Sequence, residues 1–568
     1  MENTIRAVYP EIEGGKFPVK TEIDRPFMVK AVINAKFLKK VTVNYRKKGT
    51  KTWKKDAMTA MDYQYWQGNI SFDKVGIYEY TVEVIFQDSQ PNALYGLTLE
   101  VWVEPVKARC AAWYEMFHWS QGKVPGKCAT FKDMEARLPE IKAMGFDVLY
   151  LPPVHPVGTT NKKGRNNSLF ATPDDPGCPW SIGNESGGHK AVNPNLGTMD
   201  DFRGFVRQCE RYGMDVALDI AFTCSYDHPY IKEHPGWFFY NPDGTIKFAE
   251  NPPKKYQDTV PFNWYPKDRE KMWREFKSIF IFWIEQGVKI FRIDNPHTKP
   301  DEFWGWVIGE IKKKYPETIF LSEAFTFYEK MEQLAKLGFS QSYTYFTWRN
   351  TKNELLEYLP KLTTSYLKDF FRGNFFANTP DILPEILQHG GRPAFKMRAA
   401  LATTLSSVYG IYNGFELCEN SAIEGKEEYL NSEKYEYKAW DWDRPGNIKD
   451  YISVLNKIRS ENPALQLYDN LKFYHSTNDN VLFYGKTSGN KNNIILVIVN
   501  VDPFNTQKSR VTVPVEEFGM GSDEKYNVVD LITGVTYNWQ GRENIVILDP
   551  NNEPAHIFRL DKIPSGGI

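Results

Sequence analysis

Hydrophobic and polar positions change their rhythm twice along the chain. Over residues 1–104 apolar and polar residues alternate with period two, as in Lys40–Tyr45, Tyr78–Ile85 and Leu97–Val103, with Asn92 and Gly96 as punctuation. Several short alternating runs in such a stretch predict an N-terminal β-sandwich, and Pro105 marks its end. Over 105–459, short apolar runs alternate with longer segments of helical period. The predicted strands are Ala111–Tyr114, Asp147–Leu151, Asp215–Asp219, Val288–Arg292, Thr318–Leu321, Tyr343–Phe346, Gly373–Phe376 and Ser407–Tyr409. Helices are predicted at Phe131–Met144, Met199–Tyr212, Asp268–Glu285 and Asp301–Lys314, and a helical Ile452–Ser460 closes the region. Eight β/α units predict an α/β fold, a (β/α)8 TIM barrel with long βα loops at 155–195 and 222–263. Over 460–568 the alternation returns at Val481–Tyr484, Asn493–Val499, Ser509–Val513, Tyr526–Val529, Asn544–Leu548 and His556–Leu560, predicting a C-terminal β-sandwich.

Composition narrows the function. A length of 568 residues fits one large domain with smaller ones attached. The 70 basic and 71 acidic residues leave a formal charge of −1, which argues against a nucleic-acid binder held by phosphate contacts. No run approaches the ~20 apolar residues of a membrane helix, and the start, Met1-Glu-Asn-Thr4, lacks the pattern of a secretory signal. The six cysteines, at 110, 128, 178, 209, 224 and 418, form no CxxC pair and match no zinc spacing, so reduced thiols in a cytoplasmic protein are expected. Neither a metal nor an organic cofactor is called for. The 16 Trp, 32 Tyr and 37 Phe suit sugar faces, although most must be core.

The chemistry concentrates just beyond predicted strand ends, where a barrel gathers its active site. Asp219, Asp294, Glu323 and Asp381 all fall there. Singly, each reads as a loop cap or a solvated charge; at equivalent places on successive strands they read as a site. Glycosidic chemistry with retention needs two carboxyls ~5–5.5 Å apart, one nucleophile and one acid/base. Strands four and five of a barrel are neighbours, so Asp294 and Glu323 can be so placed. Arg292, two residues before Asp294, points to the same side and lowers its pKa.

The order Asp219, Arg292/Asp294, Glu323, Asp381 resembles the four signature regions of the alpha-amylase superfamily, glycoside hydrolase family 13. That resemblance implies Asp294 as nucleophile, Glu323 as general acid/base, Asp381 as the third acid gripping sugar hydroxyls, and Arg292 as support for the nucleophile. The sequence is most similar to the bacterial maltosyltransferases that extend alpha-1,4-glucans from alpha-maltose-1-phosphate. Stretches carrying this include Gly15–Lys20, Ala112–Glu115, Leu151–Gly158, Lys163–Asn167, Glu250–Tyr256, Asp294–Pro300, Gln341–Lys352, Asn378–Leu383 and Ser432–Tyr435. It implies that Asn251, Lys254, Tyr256 and Asn295 hold the donor phosphate and that Lys434 and Tyr435 lie near the donor's non-reducing sugar. His297 is assigned to substrate contact; His189, like it, reads as a hydrogen-bonding or structural histidine rather than a proton shuttle. Partners would be a maltosyl donor and an alpha-1,4-glucan or maltooligosaccharide acceptor, with neither nucleic acid nor membrane. Alternatives are a phosphate-independent maltosyltransferase, an amylase-like hydrolase, or a non-catalytic glucan-binding protein, the last disfavoured because all three acids are present.

The sequence also departs from the pattern. Gln257, Thr259 and Val260 replace the Glu, Ile and Tyr of the subgroup's Lys-Tyr-Glu-Asp-Ile-Tyr-Pro, and Lys190 replaces the Asp of Gly-Gly-His-Asp-Ala. The subgroup's helical insertion between the first sandwich and the barrel, used in its dimer contact, is missing, so the oligomer is expected to be a monomer or a non-standard dimer.

Overall fold

The computed structural model describes residues 4–87, 91–252 and 254–562. The outer ends of the expected first and third domains, and Pro253 within the 250–256 motif, lie outside the described residues. Near the N-terminus two sheets face each other. One pairs Ile5–Tyr9, Phe27–Ile33, Tyr65–Ile70 and Thr59–Ala60; the other runs Val19–Glu22, Leu99–Glu104, Gly76–Phe86, Leu38–Lys47 and Lys54–Ala57. Alternation of apolar and polar residues is the cause, also in a strand the sequence reading did not single out. In Phe27–Ile33 every second side chain (Phe27, Val29, Ala31, Ile33) enters the core, while Met28 and Lys30 face out.

The strand ending at Glu104 passes through one helical turn, Val106–Arg109, directly into the first barrel strand at Ala111. No room for an inserted helical unit remains in that connection. The barrel is closed by eight parallel strands: Ala111–Glu115, Val148–Leu151, Asp215–Ile220, Ile290–Ile293, Ile319–Ser322, Gln341–Tyr343, Gly373–Phe376 and Val408–Tyr412. Most are buried along their whole length, as expected of strands covered by helices on one side and packed side chains on the other. Close approach has a residue-level signature at Gly410, where a Cβ would meet the Phe376 ring at 2.5 Å.

Two expectations need correction here. The sixth strand is Gln341–Tyr343, not Tyr343–Phe346; Tyr345–Trp348 is a 3-10 turn opened by the Thr344 side chain, which accepts from the Phe346 N–H. Gln341 looked polar, but its amide is buried and donates to the carbonyls of Lys107 and Ala108, so burial costs it no hydrogen bond. The helix expected over Phe131–Met144 breaks into Phe131–Glu135 and Leu138–Ala143, because Pro139 is tolerated only in a first turn.

Beyond the helix Lys449–Glu461, a sheet ordered Lys472–Tyr474, Val481–Thr487, Ile494–Asn500, Ala555–Lys562, Lys525–Asp530, Thr536–Gln540 packs on the ribbon Gln507–Thr512/Glu543–Leu548 around a second core. The sequence reading missed Lys472–Tyr474 and Thr536–Gln540. Both are edge strands: Lys472–Tyr474 is only three residues long, and Thr536–Gln540 is mostly exposed, so neither carries a readable alternation.

Candidate active site

Barrel register builds the site. Asp219 pairs with Arg292 across strands three and four, and Ile293 pairs with Ser322 across strands four and five. Asp294 and Glu323 are the next residues along, so they emerge side by side at the C-terminal rim. The Asp294 N–H donates to the Ile220 carbonyl and the Glu323 N–H to the Ile293 carbonyl, at 3.0 Å each.

One guanidinium organises the floor. Arg292, 6% exposed, places Nη1 2.9 Å from Asp219 Oδ2 and 2.9 Å from Asp294 Oδ1, and Nη2 2.7 Å from Glu323 Oε1. Two hydrogen bonds and the width of one guanidinium therefore bound the separation of the two carboxyls. Asn295, in left-handed conformation at φ 42°, locks the pair from the other side. Its N–H donates to Glu323 Oε2 at 3.1 Å and its side-chain amide to Asp294 Oδ2 at 3.2 Å.

The environment separates the protonation of the two acids. Burial opposes the ionisation of Asp294, but Arg292, Lys299 and the Asn295 amide outweigh it and hold the carboxyl below the ordinary range. Burial, and the charges of Asp294 and Asp381, push Glu323 up to about 8 against the pull of Arg292. One carboxylate stays ionised and its neighbour stays an acid, the division of roles a double displacement requires. Asp219 lies beneath, fully buried; burial pushes it up to about 7 although Arg292 opposes, and the Tyr150 hydroxyl donates to it at 2.6 Å. At Asp381, burial is outweighed by the Lys434 ammonium, 2.5 Å away, and by Lys254, and the carboxyl is held at about 2.

These groups open onto a cavity of about 780 Å³, within the range typical of small-ligand sites. Asp294, Glu323, Asp381, Asn251, Lys254, Tyr256, Asn295, Lys434 and Tyr435 all line it. The loop 222–263 contributes the paired strands Ala249–Asn251 and Lys254–Tyr256, which bring Lys254 and Tyr256 to the cavity wall and tie back through Asn251 Nδ2 to Asn295 Oδ1 at 3.4 Å. Also on the cavity wall, Lys434 sits 4.9 Å from the centre of the Trp180 ring.

Two of the expected residues lie off the cavity wall. Arg292 is beneath it. His297 is absent from the lining; its Nδ1 is buried without a partner among the described residues, and burial and Lys299 bring the ring down to about 4. His189 is buried away from the acids, 3.0 Å from His228 Nε2 and 2.9 Å from the Ala221 carbonyl. The altered positions are absorbed locally: Gln257 accepts from Lys163 at 2.6 Å, and Lys190 pairs with Glu275 at 2.8 Å.

Sequence reasoning missed Lys299, Tyr150, Cys178, Trp180, Phe325 and Trp348. Lys299 is 7% exposed, lines the cavity, and donates to the carbonyls of Asp294 and Asn295. Its signal was there: a lysine five positions after Asp294, inside the same turn. Tyr150 and the aromatics carried none, because a ring on a barrel strand or βα loop reads as core.

Structures of similar shape place the architecture. The maltogenic alpha-amylase AmyB of Thermotoga neapolitana is 19% identical, with a TM-score of 0.62 over 80% of this chain and 98% of its own. An alpha-amylase of Lactobacillus plantarum is 20% identical, with a TM-score of 0.61 over 80% and 99%. The alpha-amylase catalytic-domain model matches residues 86–276. Fold and acids together define an enzyme of the alpha-amylase superfamily.

The flanking regions are more specific. Residues 3–88 match the model "Alpha-1,4-glucan:maltose-1-phosphate maltosyltransferase, domain N/S", and 473–560 match "GLGE, C-terminal". The maltosyltransferase of that name from Rhodospirillum rubrum is 55% identical over 465 residues, 82% of this chain and 68% of its own. That of Methylacidiphilum infernorum is 43% identical over 640 residues, 98% and 96%. The chain belongs to the alpha-1,4-glucan:maltose-1-phosphate maltosyltransferase family. The second alignment is longer than the 568 residues here, so that relative carries segments this chain lacks.

Proposed function

We propose that the protein moves maltosyl units from alpha-maltose-1-phosphate to the non-reducing 4-OH of alpha-1,4-glucans by a retaining double displacement. Asp294 attacks the anomeric carbon as Glu323 protonates the bridging oxygen; the C1–O bond breaks and phosphate leaves. Glu323, now a carboxylate, takes the proton of the acceptor 4-OH, that oxygen attacks C1, and the ester to Asp294 breaks. Two inversions restore the alpha linkage. Asp381 grips the hydroxyls of the reacting sugar; Lys434 and Tyr435 hold the second one. Lys254, with hydroxyl and amide donors from Tyr256, Asn251 and Asn295, binds the phosphate dianion through charge-assisted hydrogen bonds. Arg292 positions both acids.

The observation that carries this reading is the presence of Lys254, Tyr256, Asn251 and Asn295 in the same cavity as an ionised Asp294 and a neutral Glu323. Free thiols at all six cysteines support a reducing, cytoplasmic setting, and no helix among the described residues is long and apolar enough to cross a membrane. The test is phosphate release from alpha-maltose-1-phosphate with maltohexaose as acceptor. The expected product is a glucan ladder rising two glucoses at a time. Disproportionation of maltohexaose without donor, and no phosphate released with it, would overturn the donor assignment.

A further inference from the structure

The turn that follows Asp294 is tied by a buried cation that the chemistry above does not use. Asn295 is left-handed (φ 42°, ψ 52°), Pro296–Thr298 makes one 3-10 turn, and Lys299 is extended (φ −117°, ψ 161°), as the residue before a proline prefers. The Lys299 side chain doubles back over its own turn. Its Nζ donates to the Asn295 carbonyl at 3.1 Å and to the Asp294 carbonyl at 3.4 Å. Thr298 donates to the Asn295 carbonyl as well, from Oγ1 at 2.8 Å and from its N–H at 3.2 Å. Trp304 Nε1 pins the Pro296 carbonyl at 2.9 Å. A left-handed conformation is unfavourable for a residue other than glycine, so surrounding contacts must hold it. Held there, Asn295 gives its N–H to Glu323 at 3.1 Å and its side-chain amide to Asp294 at 3.2 Å, and accepts from Asn251 at 3.4 Å.

A neutral amide could serve backbone carbonyls. Lys299 is 7% exposed and lines the cavity, so an ammonium there gives up most of its water. Burial lowers its pKa, Asp294, Glu323 and Asp219 pull it back up, and Arg292 opposes them. Burial also opposes the ionisation of Asp294, and Arg292 and then Lys299 are the foremost charges that outweigh it. Burial and then Lys299 lower the neighbouring His297. In a double displacement the negative charge passes from Asp294 to Glu323, since the first is esterified as the second gives up its proton. A cation on the residue that links them faces a carboxylate in both states.

We propose that Lys299 is a positioning residue for transfer: its ammonium, seated on the carbonyls of Asp294 and Asn295, fixes the left-handed turn from which Asn295 holds the two acids side by side. It acts through Asn295 and Asp294. The inference rests on the double displacement proposed above.

Lys299→Met keeps the length of the side chain and removes its charge and donors. Phosphate release from alpha-maltose-1-phosphate should fall in kcat by about 10–100-fold, the worth of hydrogen bonds to a charged group, with the donor KM changed by less than about threefold. The acid limb, followed down to about pH 2, should move to higher pH, because Asp294 loses a cation that favours its ionised form. In Thr298→Val, which removes a hydrogen bond to the same carbonyl but no charge, that limb should stay in place. A crystal structure of Lys299→Met should show Asn295 out of the left-handed region and its N–H off Glu323. Should Lys299→Met not fold, Lys299→Gln, which keeps a donor and loses the charge, is measured for the same limb. A kcat within about threefold of wild type with an unmoved acid limb, in whichever variant folds, overturns the proposal. So does a crystal structure of Lys299→Met in which Asn295 keeps its conformation and both contacts. A wild type that disproportionates maltohexaose but releases no phosphate overturns the donor instead, and the variants are then compared on that reaction.

Discussion

Replacing Arg292 by lysine keeps the charge and removes the fork. The guanidinium holds three carboxyls through contacts of 2.9, 2.9 and 2.7 Å from two different nitrogens. A single ammonium on a shorter reach cannot span Asp294 and Glu323 together. Each hydrogen bond to a charged group contributes ~1.5–3 kcal/mol net. Losing two of the three, with the ammonium recovering part through its charge, costs about 3 kcal/mol of transition-state stabilisation, or roughly 150-fold in kcat/KM at 1.36 kcal/mol per decade. The acid limb of the rate profile should also move upward, since Arg292 is the foremost group opposing burial at Asp294. The assay is initial phosphate release from alpha-maltose-1-phosphate at saturating maltohexaose, from about pH 2 to 10 so that the acid limb set by the lowered Asp294 is reached, with circular dichroism to confirm the fold. Retention of kcat/KM within about threefold, with an unmoved acid limb, would refute the view that this guanidinium holds the two acids in place.

Other outcomes follow from the same geometry. Glu323→Gln should lose at least ~10²–10⁴-fold in kcat, the worth of a positioned proton donor, while Asp294→Asn should release no phosphate burst and trap no maltosyl-enzyme by mass spectrometry. For the wild type, kcat/KM should fall as pH rises through about 8, because Glu323 must carry its proton in the first step and its raised pKa keeps the proton on below that value. It should fall again in acid only below the ordinary carboxylate range, where Asp294 is finally protonated. Lys254→Ala should weaken the phosphate donor by about 10–100-fold in kcat/KM, the loss of one charge-assisted hydrogen bond, and leave turnover of a maltosyl fluoride donor little changed. Gly410→Ala should be severely destabilising in thermal unfolding, because its Cβ would lie 2.5 Å from the Phe376 ring between two barrel strands.

The barrel strands were readable because each is a short apolar run followed by a change of period. The exception shows where that signal fails. Gln341–Ser342 is polar and still lies inside the barrel, since the Gln341 amide reaches two backbone carbonyls of the first barrel strand's entry turn. No local pattern announces a partner more than two hundred positions away. The edge strands Lys472–Tyr474 and Thr536–Gln540 escaped for other reasons: the first is only three residues long, although Phe473 and Tyr474 are half-buried, and the second is mostly exposed. The three acids were visible because each follows a strand end, and Asn251, Lys254, Tyr256 and Asn295, proposed to hold phosphate, came through family resemblance rather than spacing.

The linear order of residues alone determined the (β/α)8 class, the two flanking β regions, and the placement of Asp294 and Glu323 at adjacent strand ends. Those features depend on near-neighbour periodicity, which the chain carries locally. Only the folded molecule decided that one guanidinium would bridge Asp219, Asp294 and Glu323, that Lys434 would pair with Asp381, and that Lys299 would join the surroundings of Asp294. Charge pairing and desolvation act through distance in space. Which distances are short is set by barrel closure and loop folding, not by position in the chain.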